Sequence, residues 1–176
     1  MLKGIIFDLD GTLIDSHYEW SLIRKKIGVD NFPILTYING LKGVLKREAI
    51  KTLEVFEKRA THKARLQKGI KKLFTFLLKS KIKKAIVTNN SRKNVEYLLE
   101  KWKLSFDAIV TRDDGVWKPS GKPLELVIKK LNLRKDEVIF IGNSNPDRLA
   151  AEAAGIKYIC ISHKKGAEGL ISLIKK

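Results

Sequence analysis

The sequence predicts an α/β protein: a doubly wound parallel sheet with a small helical insertion near its start. Two observations carry that expectation. From Gly69 onward, amphipathic stretches alternate with short apolar runs, and strands that alternate with helices pair in parallel. The runs Ala85-Ile86-Val87 and Val138-Ile139-Phe140-Ile141 contain no polar residue, as strands covered by helices on both faces require.

The elements follow in order. Lys3-Gly4-Ile5-Ile6-Phe7 reads as a first buried strand running into the polar turn Asp8-Leu9-Asp10-Gly11. Ser16 with Glu19 three residues later has the form of a capping box. Trp20, Ile23 and Ile27 follow at helical spacing before Gly28, so a helix is expected to start at Ser16. After the Phe32-Pro33 break, Ala49, Leu53, Phe56, Ala60 and Ala64 recur every three or four residues and predict a second amphipathic helix. Beyond Gly69 the pattern predicts helix 70–78, strand 84–87, helix 93–102, strand 108–110, helix 123–131, strand 138–141, helix 147–154 and strand 158–161. Residues 1–15 and 67–176 are therefore expected to form the α/β core, and 16–66 a helical insertion after the first strand.

Composition limits the class of protein. The chain has 176 residues, 44% of them hydrophobic, which is ample for one folded domain with an insertion. A single cysteine, Cys160, cannot close an intrachain disulfide, and no Cys/His ligand cluster exists, so a disulfide scaffold and a zinc module are excluded. The first apolar run is short and broken by Asp8 and Asp10, which suits neither a signal peptide nor a membrane span. A cytoplasmic location is the expectation. The 36 Lys+Arg against 19 Asp+Glu leave a formal charge of +17, and residues 42–84 alone hold 15 basic and 3 acidic side chains. Such a field attracts phosphorylated or other anionic partners, nucleic acid included, although lysine is ordinarily a solvated surface residue.

Open α/β sheets bind ligands beyond the carboxyl ends of their strands, which singles out three turns. These are Asp8-Leu9-Asp10-Gly11-Thr12, Thr88-Asn89-Asn90-Ser91 and Gly142-Asn143-Ser144-Asn145-Pro146-Asp147, with Lys118 and Lys122 in the loop after a fourth strand. Aspartates at i and i+2 point the same way while the chain is extended, so Asp8 and Asp10 can face one reacting centre and one cation. Crowded carboxylates suit a hard metal such as Mg²⁺, which takes oxygen ligands and keeps several waters.

These motifs, in this order, resemble those of the haloacid dehalogenase superfamily over nearly the whole chain. The first, Asp8-Leu9-Asp10-Gly11-Thr12-Leu13, resembles its phosphotransferase branch, because true dehalogenases lack the second aspartate. Helices inserted after it resemble the small cap of phosphoglycolate phosphatase-like members, which selects substrate above a Rossmann-like core. The resemblance implies a Mg²⁺-dependent phosphatase acting on a small phosphate monoester. Asp8 would be the nucleophile that forms an aspartyl-phosphate, and Asp10 the acid and then the base, with its main-chain carbonyl on the metal. Thr88 and Asn89 would donate to the phosphate oxygens, and Lys118 would offset charge on Asp8 and the phosphoryl group. Lys122 competes for that last role, but the Trp-Lys-Pro setting favours Lys118. The fourth motif departs from the usual Gly-Asp-Ser-x-x-Asp. Asn143 stands where most relatives have a metal carboxylate, so weaker Mg²⁺ binding is expected, with Asp147 as the charged ligand, direct or through water.

Two other functions fit parts of the sequence. One is a nucleic-acid-associated protein, a polynucleotide-end phosphatase or a non-catalytic binder, acting through the basic segment. The other is a phosphomutase with the same aspartyl-phosphate chemistry. Several further features have plain structural readings: Asn145-Pro146 as a cap and first-turn proline, Asp113-Asp114-Gly115 as a turn, and Ser91 as a helix cap. His17, His62 and His163 lack ligand spacing, Trp20, Trp102 and Trp117 read mainly as packing residues, and Cys160 ends an apolar strand.

Overall fold

A computed structural model describes residues 1–161, 170–171 and 174 of the chain. In chain order its elements are β1 (Gly4–Phe7), β2 (Ile14–Asp15), α1 (Trp20–Ile27), α2 (Ile34–Gly40), α3 (Gly43–Lys63), β3 (Arg65–Leu66), α4 (Ile70–Lys79), β4 (Lys83–Val87), α5 (Arg92–Trp102), β5 (Ala108–Val110), α6 (Lys122–Leu131), β6 (Val138–Gly142), α7 (Asn145–Ala154) and β7 (Lys157–Cys160). Short 3-10 turns lie at Arg112–Asp114 and Lys135–Glu137. Two compact units result, one of Met1–Asp15 with Arg65–Lys176 and one of Ser16–Ala64. Arg65 and Leu66 fall in the first unit, not in the insertion as the periodicity suggested, because they pair antiparallel with Asp15 and Ile14.

In the larger unit five parallel strands lie in the order β5-β4-β1-β6-β7. A fully buried apolar strand takes the centre: all four residues of β1 are buried, and Phe7 aligns with Ile86 on one side and Ile141 on the other. Side chains alternate between faces. Ile6, Val87, Val110 and Phe140 face one layer, packed with Leu124, Val127 and Leu131 of α6 and the small Ala150, Ala151 and Ala154 of α7. Phe7 packs its ring 5.8 Å from Phe74 of α4. Later strands are added first on one side of β1 and then on the other, so the crevice between diverging connections opens above the carboxyl end of β1.

The Ser16–Ala64 unit is three helices around Ile23, Val29, Ile34, Ile38, Ala49 and Leu53. Its first helix corrects the expectation of a start at Ser16. His17 sits at φ 47, which no right-handed helix accepts, so α1 begins at Trp20 behind Glu19, with no side-chain cap. The short α2 was not anticipated, since only Ile34 and Ile38 of it are buried. A second correction concerns α7, capped by Ser144 and not by Asn145; Ser144 and Asp147 close a capping box, with Pro146 in the first turn. From residue 70 onward the other helices and strands start and stop within two residues of the expected ranges. Ser91 caps α5 as expected, accepting from the Asn94 amide. Asp113-Asp114-Gly115 is a turn whose Asp114 pairs with Arg92 and Lys130. His17 and His62 are exposed, and His163 lies outside the described residues.

Gly121, at the start of α6, shows how closely α6 and α7 approach. Its φ of −72° suits any residue, but an added Cβ would lie 2.8 Å from the backbone nitrogen of Ala154. Backbone cannot yield as a flexible side chain does. Gly121→Ala is therefore expected to destabilise the fold by about 1–3 kcal/mol in urea unfolding, although alanine is the better helix former.

Candidate active site

The sheet register assembles the site. Because Phe7, Ile86 and Ile141 are level, the chain leaves β1, β4 and β6 at one edge, carrying Asp8, Thr88 and Asn143 out together. The Asp8 amide still donates to Ile141 (2.8 Å) and the Thr88 amide to Val110 (3.0 Å), so both residues remain anchored to the sheet. Beyond Asp8 the chain folds back at once, with Leu13 and Ile14 donating to the Leu9 carbonyl and Gly11 to the Ile14 carbonyl. Gly11 takes φ 86, and a Cβ there would collide with the side chain of Asn143. Only glycine meets both demands.

Lys118 reaches the centre of this arrangement from the loop before α6. Its Nζ is 2.5 Å from Asp8 Oδ1 and 2.5 Å from Asp147 Oδ1, with all three residues buried. Lys122, the alternative in the sequence, is an exposed residue of α6. Asn89 holds Lys118 in place: its Oδ1 accepts from the Lys118 amide (2.8 Å) and its Nδ2 donates to the Lys118 carbonyl (3.0 Å). The side chain of Asn89 is thus engaged by the lysine's backbone. Asp147 is engaged on both oxygens: its Oδ1 is on Lys118, and its Oδ2 accepts from the amides of Asn143 and Ser144 and the Ser144 hydroxyl, so this carboxylate serves as a helix cap and lysine partner.

Three residues without an assigned role in the sequence also build the site. Thr12 Oγ1 lies 3.2 Å from both Asp8 Oδ2 and Asn143 Oδ1, and its proton serves one or the other. Asn90 Nδ2 donates to Asp10 Oδ2 at 3.1 Å, and Asn94 supports Asn90 from α5. Polar residues in the quoted turns were the only signal for Thr12 and Asn90. Thr88 Oγ1 accepts from the Asn90 amide (3.1 Å), a bond that leaves its own proton to donate.

Carboxylates outnumber the buried cation. Burial, then the charge of Asp147, pushes Asp8 up to about 7 against the pull of Lys118, with Asp10 adding to the rise. For Lys118, burial opposes the charge, but Asp8 and Asp147 prevail and raise it above the ordinary lysine value. Burial likewise opposes ionisation of Asp147, yet Lys118 and the Ser144 bonds hold it below the usual carboxylate range. Among the described residues no group of three or more His, Cys, Asp or Glu is placed to hold a metal ion. The donors that do converge, Asp8 and Asn143 about the Thr12 hydroxyl with Asp10 beside them, are oxygen only. That set fits a hard cation that retains water, and it fits no soft metal.

With this geometry, the chain's likenesses to other proteins become informative. Residues 5–161 match the haloacid dehalogenase-like hydrolase family. An uncharacterized hydrolase of Saccharomyces cerevisiae is 33% identical over 162 residues, covering 88% of this chain and 74% of its own. A phosphoglycolate phosphatase of Pseudomonas fluorescens is 30% identical over 189 residues, covering 90% of this chain and 69% of its own. In fold, the chain resembles the Rhodobacter sphaeroides protein CbbY, solved in complex with phosphate, with a TM-score of 0.69 at 23% identity over 92% of this chain and 87% of that one.

The charge imbalance predicts a stabilising mutation. Without metal, ionised Asp8 costs folding free energy above pH 7. As pH falls from 7 toward 3.8 the folded protein takes up a proton that the unfolded chain does not, and the cost disappears. In metal-free buffer Asp8→Asn is therefore expected to raise stability by a few kcal/mol at pH 8, the gain fading to nothing near pH 4. Thermal melts across that range check the sign.

Proposed function

The chain belongs to the haloacid dehalogenase-like hydrolases, and from that premise we propose that it is a Mg²⁺-dependent phosphatase that hydrolyses a small phosphate monoester through an aspartyl-phosphate on Asp8. The observation that carries this reading is the buried Lys118 ammonium shared by Asp8 and Asp147 at the carboxyl end of the central strand. Likeness to phosphoglycolate phosphatases supports the phosphatase class, while the identity of the monoester is left to substrate screening. In this reading the Ser16–Ala64 unit is the cap implied by an insertion after the first motif.

The chemistry assigns one task to each side chain. A carboxylate oxygen of Asp8 attacks phosphorus while the bond to the leaving oxygen breaks, and Asp10 gives that oxygen a proton. Asp10 then takes a proton from water as the water oxygen attacks phosphorus and the bond to Asp8 breaks, releasing phosphate and restoring both residues. Lys118 neutralises Asp8 before attack and the phosphoryl oxygens after it, and Thr88 donates its hydroxyl to them. Asn89 keeps Lys118 aimed, and Asp147 keeps it charged. Asp8, the Asp10 main-chain carbonyl and Asn143 would hold Mg²⁺, which supplies positive charge to the phosphoryl oxygens when bound.

The test is p-nitrophenyl phosphate hydrolysis across a Mg²⁺ titration. Chelation should abolish turnover, and Asp8→Asn should lower kcat by at least about 10³-fold while the protein remains folded. Activity that survives in Asp8→Asn overturns the nucleophile assignment. Asn143→Asp should lower the Mg²⁺ concentration for half-maximal activity by about tenfold, since it adds a charged ligand. An unchanged value removes Asn143 from the ligand set.

A further inference from the structure

We propose that Asn90 is a positioning residue for Asp10, orienting the acid–base carboxyl from the turn before helix α5 by an amide hydrogen bond; the inference rests on the phosphatase reading above. Asn90 is 3% exposed, and its surroundings leave its amide no choice of orientation. Its Oδ1 accepts from the Ser91 backbone amide at 2.8 Å, and a backbone N–H can only donate. The oxygen must therefore face Ser91, and the nitrogen must face Asp10 Oδ2, 3.1 Å away. Asn94 Nδ2 donates to the same Oδ1 at 2.9 Å, tying the arrangement to the first turn of α5. The main chain of Asn90 is held as well: its amide donates to Thr88 Oγ1 at 3.1 Å, and its carbonyl accepts from the Arg112 amide at 3.3 Å.

The consequence is geometric. Asp10 lies three residues past the end of β1 and is less buried than Asp8. Proton transfer requires its carboxyl within hydrogen-bond reach of the leaving oxygen, and displacement by about 1 Å can cost on the order of 10²-fold in rate. The backbone of the turn after β1 is hydrogen-bonded to itself, and through Asn94 and Asn90 the start of α5 adds a hold on the Asp10 side chain. The Thr88 turn thereby serves two purposes, offering the Thr88 hydroxyl to phosphate and orienting the acid that protonates the leaving group.

Leaving-group dependence separates this role from a structural one. p-Nitrophenolate departs readily without a proton, whereas phenolate, from a substrate of nearly the same shape, needs more help from an acid. Asn90→Asp retains the oxygen that accepts from Ser91 and Asn94, replaces the donor to Asp10 by an oxygen, and sets a like charge beside Asp10, whereas Asn94→Ala loosens Asn90 without adding charge. For Asn90→Asp, kcat/KM on phenyl phosphate, which reports the step that expels the leaving group and not the hydrolysis of the aspartyl-phosphate common to both esters, is expected to fall at least about tenfold further than kcat/KM on p-nitrophenyl phosphate. Asn94→Ala, which leaves Asn90 in place, should show the same selectivity at smaller size. Asp10→Asn is the reference, and it should show that selectivity most strongly. If Asp10→Asn is selective while Asn90→Asp and Asn94→Ala lose equally on both esters, the role of Asn90 is overturned and the phosphatase mechanism stands. If Asp10→Asn itself loses kcat/KM equally on both esters, the acid role of Asp10 fails and this inference fails with it.

Discussion

The buried ammonium of Lys118 organises the larger unit at its chemical end. Lys118 is 4% exposed and lies between two carboxylates, one on the turn after the central strand and one in the first turn of α7. Its Nζ also lies 5.6 Å from the centre of the Phe140 ring, so apolar surroundings strengthen the pairing. A charge buried this deeply is tolerated only while it is paired, and removing one partner of such a pair typically costs roughly 3–5 kcal/mol. Asp8 departs from that rule because the site holds an excess of carboxylates, so its loss still leaves Lys118 with Asp147. Under the proposed mechanism, function is the reason to retain a carboxylate whose ionisation burial opposes.

That arrangement depends in turn on the sheet. Parallel strands of matched register bring residues far apart in sequence to one edge, which is why Asp8, Thr88 and Asn143 meet although 80 and 135 positions separate the first from the other two. The helices act as more than cover. Through its capping box α7 holds Asp147, and through Asn94 α5 holds Asn90, so the side chains nearest the chemistry are braced by helix N-termini. Rigid elements then carry the precision that turns alone do not.

How far the sequence disclosed this can be judged from particular residues. The sheet was legible because its strands are buried on both faces and carry uninterrupted apolar runs, as in Val138-Ile139-Phe140-Ile141. Ser16 was misread because a local capping pattern says nothing of the pairing of Ile14 and Asp15 with residues fifty positions later, or of the left-handed His17. In the site, the Asp8 and Asp10 pair and Lys118 could be named from motifs, since residue type and order suffice for that. The direction in which each side chain points could not. Asn89 and Asn90 are adjacent and chemically identical, yet one grips the Lys118 backbone and the other the Asp10 carboxylate. Asp147 was legible as an acid, and its division between a helix cap and a lysine follows only from the turn that Ser144 makes.

The central claim is that phosphoryl transfer passes through Asp8. Acid-quenching the protein within its first turnover of p-nitrophenyl phosphate, followed by peptide mass spectrometry, tests it most directly. The account predicts one phosphoryl group on the peptide that carries Asp8, labile to hydroxylamine as an acyl phosphate is, and absent from Asp8→Asn. Phosphate release with no phosphorylated peptide at any quench time, or with the group on another residue, would contradict it.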